Sequence, residues 1–289
     1  MANSRLITRR IRSAQNIAKI TKAMEMVSAS KMRRAQEQVL ASRPFSEKLA
    51  RSLADVANFT DPGLHPLLQE RNEGEPLLVI LSTDRGLCGG LNTNLFKAVS
   101  IYALENPNFK SIVVGKKARE FASRSGYEIV ASFTDLPEKI RFQDILPLSE
   151  ILIPGFIGDQ FSSVTFAHMK FLSTLSQEVA FTPLLPLQAV TSQEIIPEKR
   201  IFSKEYIFEP SPQAILNALL PAYIETQLYQ MFLDSRASEH SARMISMQNA
   251  SNNAKDVVEV LQLEYNKSRQ AAITTELIEI STASLAMSG

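Results

Sequence analysis

The residues best placed to do chemistry lie in one short loop, Asp84-Arg85-Gly86-Leu87-Cys88-Gly89-Gly90-Leu91-Asn92, directly after the apolar run 77–83. A loop leaving a buried strand is where an α/β protein holds a phosphate, on the free N–H groups that open the next helix. Gly86, Gly89 and Gly90 match neither GxGxxG nor GxxxxGK[ST], and no Lys-Ser/Thr pair follows. The loop therefore reads as a tight strand-to-helix turn. Asp84 with Arg85 reads as a local ion pair, with a catalytic or ligand-binding pair as the competing reading. Elsewhere there is no GxSxG elbow, no HExxH and no Cys/His pairing. Cys88 is the single cysteine, which excludes a disulfide framework within the chain and a dithiol switch. His65, His168 and His240 lie far apart without metal-ligand spacing. No catalytic residue, cofactor site or metal site is assigned.

The elements around that loop carry an uneven charge. The net charge is +1, yet residues 1–60 hold roughly +8, residues 61–209 about −4 and the remainder about −3. Up to Met24 the chain has Arg5, Arg9, Arg10, Arg12, Lys19 and Lys22 and no acid. A solvated helix face, a mitochondrial presequence and a cationic surface for acidic partners all fit such a run. The pattern continues unbroken into the following turns, which argues against a presequence. It lacks the aromatic interleaving, Gly-rich arm or zinc spacing of a nucleic-acid binder. No apolar stretch approaches the ~20 residues of a membrane span, and no secretory signal is present. The expectation is a soluble intracellular chain, compatible with attachment to a membrane complex.

Periodicity predicts a helix over the first ~58 residues. Ser13, Ile17, Ile20, Met24 and Val27 alternate by four and three as a coiled-coil seam. Ala35, Val39, Ser42, Ser46, Leu49, Leu53 and Val56 form a second seam one residue out of phase, which predicts a stutter. Pro44 falls inside the second seam and predicts a kink. The cluster TDPGLHP, 60–66, ends the helix. Strand-like runs at 77–83, 111–115 and 127–133 then alternate with helical stretches to about Glu105 and over 116–126, closed by Gly126. A further helix is expected over 143–158, and a hairpin at the sheet edge over 163–171 and 178–187. Such alternation implies βαβ units and a parallel, Rossmann-like sheet.

After EPSP, 209–212, a third seam runs through Ile215, Leu219, Ala222, Thr226, Tyr229 and Leu233, with Pro221 as a second kink site. A fourth runs through Ala254, Val258, Leu261, Tyr265, Ser268 and Ala272. Helix from Gln213 to about Met287 would be roughly 110 Å long at 1.5 Å per residue, too long for a compact domain of this size. The two chain ends are expected to pair antiparallel, the C-terminal one projecting as a single rod. After Arg269 the only charges are Glu276 and Glu279, and small residues dominate from Ser281. This thin, weakly charged tip suits a rod inserted in a protein sleeve; a frayed tail is the competing reading. The fold class is α/β: a long antiparallel coiled coil of N- and C-terminal helices with a central Rossmann-like domain. The predicted boundaries are 1–59 for the N-terminal helix, 60–209 for the globular foot and 210–289 for the C-terminal helix.

Three stretches, in this order along the chain, resemble the gamma subunit of the F-type ATP synthase. They are IRSAQNIAKITKAMEMVSASKM (11–32), LSTDRGLCGGLN (81–92), and SEHSARMISMQNASNNA (238–254) running on to YNKSRQAAITTELIEI (265–280). The resemblance spans the whole chain. It departs at Ala283-Ser284, where the family usually has a small Gly-Ala pair. The resemblance implies a non-catalytic central shaft in a ring of three alpha and three beta subunits. Proton or sodium flow turns a membrane rotor, and each third of a turn biases one beta subunit to open. Its further implied partners are the epsilon subunit and the c-ring, and its implied place is the cytoplasmic face of a bacterial plasma membrane. The bacterial form fits because the N-terminal motif begins almost at Met1; a single Cys88 argues against the chloroplast form with its inserted cysteine pair. By the same resemblance Lys19, Lys22 and Met24 face the lower rim of the beta subunits. Arg243, Gln270, Thr274 and Glu276 make polar contacts inside the sleeve, and Arg85, Cys88 and Asn92 lie in the foot near epsilon and the rotor ring. The alternative function is a coiled-coil tether or nucleic-acid-binding scaffold with a Rossmann-like domain.

Overall fold

The computed structural model describes residues 2–57, 65–187 and 208–287. Its elements in chain order are α1 (Ala2–Ala57), β1 (Glu75–Leu81), α2 (Leu91–Glu105), β2 (Lys110–Val114), α3 (Lys116–Ser125) and β3 (Glu128–Phe133). A 3-10 turn (Phe142–Ile145), α4 (Leu146–Ile157), β4 (Phe161–Phe171), β5 (Gln177–Leu185) and α5 (Pro212–Met287) follow. Contacts gather them into two compact units. One comprises Met1–Ala29 with Arg243–Gly289, the other Ser30–Ala242.

In the larger unit the sheet has the order β3-β2-β1-β4-β5. The first four strands are parallel, and only β5 runs antiparallel, against β4. The expected hairpin is therefore present, but β4 lies inside the sheet beside β1 and only β5 forms the edge. Strand residues alternate between faces, and both faces are covered. Leu77, Val79 and Leu81 pack with Leu148, Leu152 and Phe156 of α4, with Leu53 and Val56 of α1, and with Leu216, Leu220 and Ile224 of α5. Leu78 and Ile80 face the other way, onto Leu91, Leu95 and Val99 of α2 and Ala118 and Ala122 of α3. This double coverage explains why the central strands read as unbroken apolar runs. Gly126 ends α3 with φ 73°, the left-handed conformation that glycine adopts without strain.

Within this unit α1 and α5 run antiparallel. Ala35 and Val39 meet Leu233 and Ala237, and Gln230 Nε2 donates to Ser42 Oγ at 2.7 Å. Two buried hydroxyls tie α5 to β4 and its hairpin: Ser238 Oγ donates to the Met169 carbonyl at 3.3 Å, and Ser241 Oγ to that of Thr174 at 2.6 Å. α5 is consequently buried on nearly every side between Leu220 and Ala242. The predicted third seam on α5 thus has no exposed flank there to stand out against. Pro44 and Pro221 both sit inside their helices, which continue past them.

The smaller unit pairs the start of α1 with the end of α5. Ser251 Oγ donates to the Ala18 carbonyl at 3.3 Å, and Ile7, Ala14, Ser28, Met247 and Ala254 are buried. The fourth seam appears as read: Ala254 is buried and Val258, Leu261, Tyr265, Ser268 and Ala272 are half-buried, while the residues between them are almost all exposed. The first seam does not. Ile17 is 53% and Ile20 60% exposed, and Val27 is exposed as well. The inward stripe is Ile7, Ala14 and Ser28, buried, with Ile11, Ala18 and Thr21, half-buried. Its heptad phase equals that of Ala35, Val39 and Ser42, so α1 has one seam and no stutter. Close approach of two helices favours small side chains here, Ala14, Ala18 and Ser28 on α1 and Ser251 and Ala254 on α5, while Ile17 and Ile20 point outward. The turn cluster at 60–66 falls for the most part, at 60–64, outside the described residues.

Candidate functional site

The turn after β1 is held by its own side chains. Thr83 Oγ1 donates to the Arg85 carbonyl at 2.8 Å, and Asn92 Nδ2 donates to Thr83 Oγ1 at 2.7 Å and reaches Cys88 Sγ at 3.5 Å. Cys88 is only 2% exposed, packed with Leu91 and Leu95. Asp84 Oδ1 accepts the Lys116 amide at 3.0 Å, and Ser82 Oγ accepts the Ala118 amide at 2.7 Å. Both therefore cap the start of α3, satisfying N–H groups that a helix leaves open. Asp84 acts as a cap, and its carboxylate is aimed at a backbone amide. Arg85 and Leu87 stand at the exposed crest of the turn, Leu87 with φ 63°. Of the three foot residues singled out from sequence, Cys88 and Asn92 touch each other and brace the turn, while Arg85 is presented to solvent.

A doubly wound sheet binds ligands in the crevice beyond the carboxyl ends of its strands. Here the ends of β1 and β2, Leu81, Ser82, Val114 and Gly115, face Phe232, Ser235, Arg236 and Glu239 of α5. The space left is about 10 Å³, room for roughly one water. The helix occupies the place a nucleotide would take. No cluster of His, Cys, Asp or Glu fit to hold a metal occurs among the described residues.

The remaining sequence-derived residues all lie in the smaller unit. Lys19 is exposed; Lys22 Nζ pairs with Glu25 Oε1 at 2.8 Å; Met24 is half-buried. Arg243 is half-buried, and Gln270, Thr274 and Glu276 are exposed. Thr274 Oγ1 donates to the Gln270 carbonyl at 2.9 Å, so that hydroxyl is satisfied by its own helix. Beside these polar groups α5 presents Ile273, Leu277, Ile278 and Ile280, with Leu277 61% and Ile280 67% exposed. Sequence reasoning noted the scarcity of charge here but did not single out these apolar residues. Their signal is an apolar stripe at i, i+4 and i+7, Ile273, Leu277 and Ile280, with Ile278 beside it, left exposed on the helix, which in a soluble helix calls for a partner. No helix among the described residues is long and apolar enough to cross a membrane.

A sequence-family profile described as ATP synthase matches residues 3–287 of this chain. The chain belongs to the ATP synthase gamma-chain family. Among curated gamma chains, that of Dehalococcoides mccartyi strain BAV1 is 42% identical over 283 residues, 97% of each chain. That of Ralstonia nicotianae is 40% identical over 284 residues, 97% of this chain and 98% of the relative. Among solved structures, the central stalk and c-ring of the Tetrahymena thermophila mitochondrial ATP synthase contains a chain aligning with TM-score 0.61 at 25% identity. It covers 80% of this chain and 99% of that one. A chain of the Euglena gracilis mitochondrial OSCP/F1/c-ring structure aligns with TM-score 0.69 at 19% identity, over 99% of this chain and 95% of that one, and shares the fold. The gamma-chain family thus accounts for the α/β sheet and both terminal helices together.

Proposed function

We propose that this chain is the central rotary shaft of a proton-translocating F-type ATP synthase. It couples rotation of an ion-driven membrane rotor to conformational change at the catalytic beta subunits. It is a non-catalytic subunit, working with three alpha and three beta subunits around it, with an epsilon subunit and with a c-ring. Its attachment to the membrane is peripheral, at the cytoplasmic face of a bacterial plasma membrane. Residues 1–59 and 210–289 supply the shaft, and 60–209 the foot.

The observation that carries this reading is the gamma-chain match over residues 3–287. The bare apolar end of α5 supports it, because Ile273, Leu277, Ile278 and Ile280 are left exposed by the described residues and call for a sleeve. A shaft shifts each beta subunit only through contacts that differ between its states. In this role Gln270, Thr274 and Glu276 interrupt the apolar tip with polar contacts to the sleeve, as does Arg243 lower down. Lys19, Lys22 and Met24 face the lower rim of the beta subunits. At the foot Arg85 reaches towards epsilon or the rotor ring from a turn that Cys88 and Asn92 hold in shape. Mixing the purified chain with alpha and beta subunits is the test. The expected outcome is a co-eluting complex with one copy of this chain per three beta subunits and restored ATP hydrolysis. Separate elution with no gain of activity would refute the reading.

A further inference from the structure

Beside the filled crevice, the larger unit has a second, open cavity of about 520 Å³, within the size range of small-molecule sites. Its walls come from three distant segments: α1 around Lys31–Ala41, the loop Glu138–Ile140, and α5 from Leu233 to His240. The floor is apolar, with Ala35, Ile140 and Leu233 all buried. The carboxylates around it are already engaged. Glu138 Oε2 pairs with Lys31 Nζ at 2.7 Å, and Glu37 pairs with Arg33 at 3.7 Å. Glu239, next to the cavity, pairs with Arg236 at 2.8 Å. Arg236 is further held by the Leu136 carbonyl at 3.4 Å, which fixes its guanidinium on the wall. Arg34 and Lys139 also line the cavity and are exposed, and the side chain of neither makes a hydrogen bond or ion pair with any described residue. The balance is a concave, positively charged site with two uncommitted cations above an apolar floor.

We propose that this cavity binds a small phosphate-bearing anion, held by Arg34 and Lys139 with Arg236 as a fixed third donor. Guanidinium and ammonium groups are the side chains that meet phosphate oxygens best, Arg in bidentate geometry. The apolar floor and the volume leave room for a base or other flat body beside the phosphate. The site adjoins the strand-end crevice, sharing Ile140 and Arg236 with it, but is not part of it. The proposal does not depend on the rotary role.

Equilibrium dialysis of the purified full chain against radiolabelled pyrophosphate and, separately, ADP tests this at low ionic strength. Saturable binding of either at one site per chain is expected. Arg34→Gln combined with Lys139→Gln should weaken it at least tenfold, and Lys117→Gln on α3, outside the cavity, should leave it unchanged. If the double variant does not fold, as judged by circular dichroism, Ala41→Glu at the cavity mouth serves instead and should weaken binding by repulsion. Equal binding of both ligands would mean that the phosphate group alone is recognised; preference for ADP would mean that the floor takes the base. Absence of saturable binding by both would overturn the proposal, as would equal weakening by Lys117→Gln or full binding by the cavity variants.

Discussion

Asp234 lies on α5 in the larger unit and is half-buried. Burial, opposed by the nearby positive charges of Arg43 and Lys170, pushes its carboxyl up from 3.8 to about 6. A carboxyl raised in the folded state holds its proton more tightly there than when unfolded. Its contribution to stability is therefore most favourable below pH 4, and it is lost as pH rises through about 6. At 1.36 kcal/mol per pKa unit the loss would reach about 3 kcal/mol for a fully shielded group. Solvent screening of a half-buried carboxylate reduces that to about 1 kcal/mol. Asp234→Asn removes the titration while keeping the shape. The stability of Asp234→Asn relative to the parent chain should rise by about 1 kcal/mol between pH 4.5 and pH 7.5. Urea unfolding followed by circular dichroism at both pH values measures it, because every other titrating group cancels in the difference between the two chains. A difference that stays flat with pH, or that falls, would refute the reasoning.

Three further outcomes follow from geometry. Gly115 has φ +94°, and a Cβ there would lie 2.6 Å from the Ser82 carbonyl oxygen. Gly115→Ala should cost more than about 2 kcal/mol in urea unfolding and loosen the start of α3. Phe166 is completely buried at the centre of β4; Phe166→Ala should cost about 3–5 kcal/mol by the same measurement. Met24→Lys adds a charge beside the Lys22–Glu25 pair and should lower ATP-driven ion pumping per ATP hydrolysed in the reconstituted complex. Pumping and hydrolysis that stay in their original ratio would remove Met24 from the beta-facing surface.

The alternation of strands and helices from Leu77 to Phe133 was legible because each central strand is apolar on both faces and each helix is bounded by a glycine or a turn. That β4 would insert beside β1 was not legible, since strand order depends on which connections cross the sheet. The fourth seam was readable because charged residues flank it, Lys255, Asp256, Glu259 and Glu264 all being exposed, even though Val257, Val260 and Leu263 are exposed beside them. The first seam misled because large apolar residues were expected to mark the interface. In this part of α1 small residues, Ala14, Ala18 and Ser28, share the interface with Ile7 and Ile11, and Ile17 and Ile20 face outward. The turn 84–92 was recognised as a turn, yet the capping role of Asp84 requires knowing where the amide of Lys116 lies. The cavity beside it joins residues about a hundred positions apart in each direction, and no local pattern announces such a site. The raised carboxyl of Asp234 has the same origin, since burial is a property of the assembled layers.

The grip of the larger unit on α5 has a mechanical consequence. A cylinder held in a smooth groove can spin about its own axis. This helix is held by Phe232 and Leu233 sunk into apolar pockets and by Ser238 and Ser241 clipped to two fixed carbonyls. Spinning it would withdraw the first pair and break the second together, so the helix is splined to the sheet. Torque entering through the sheet reaches this stretch of α5 without backlash.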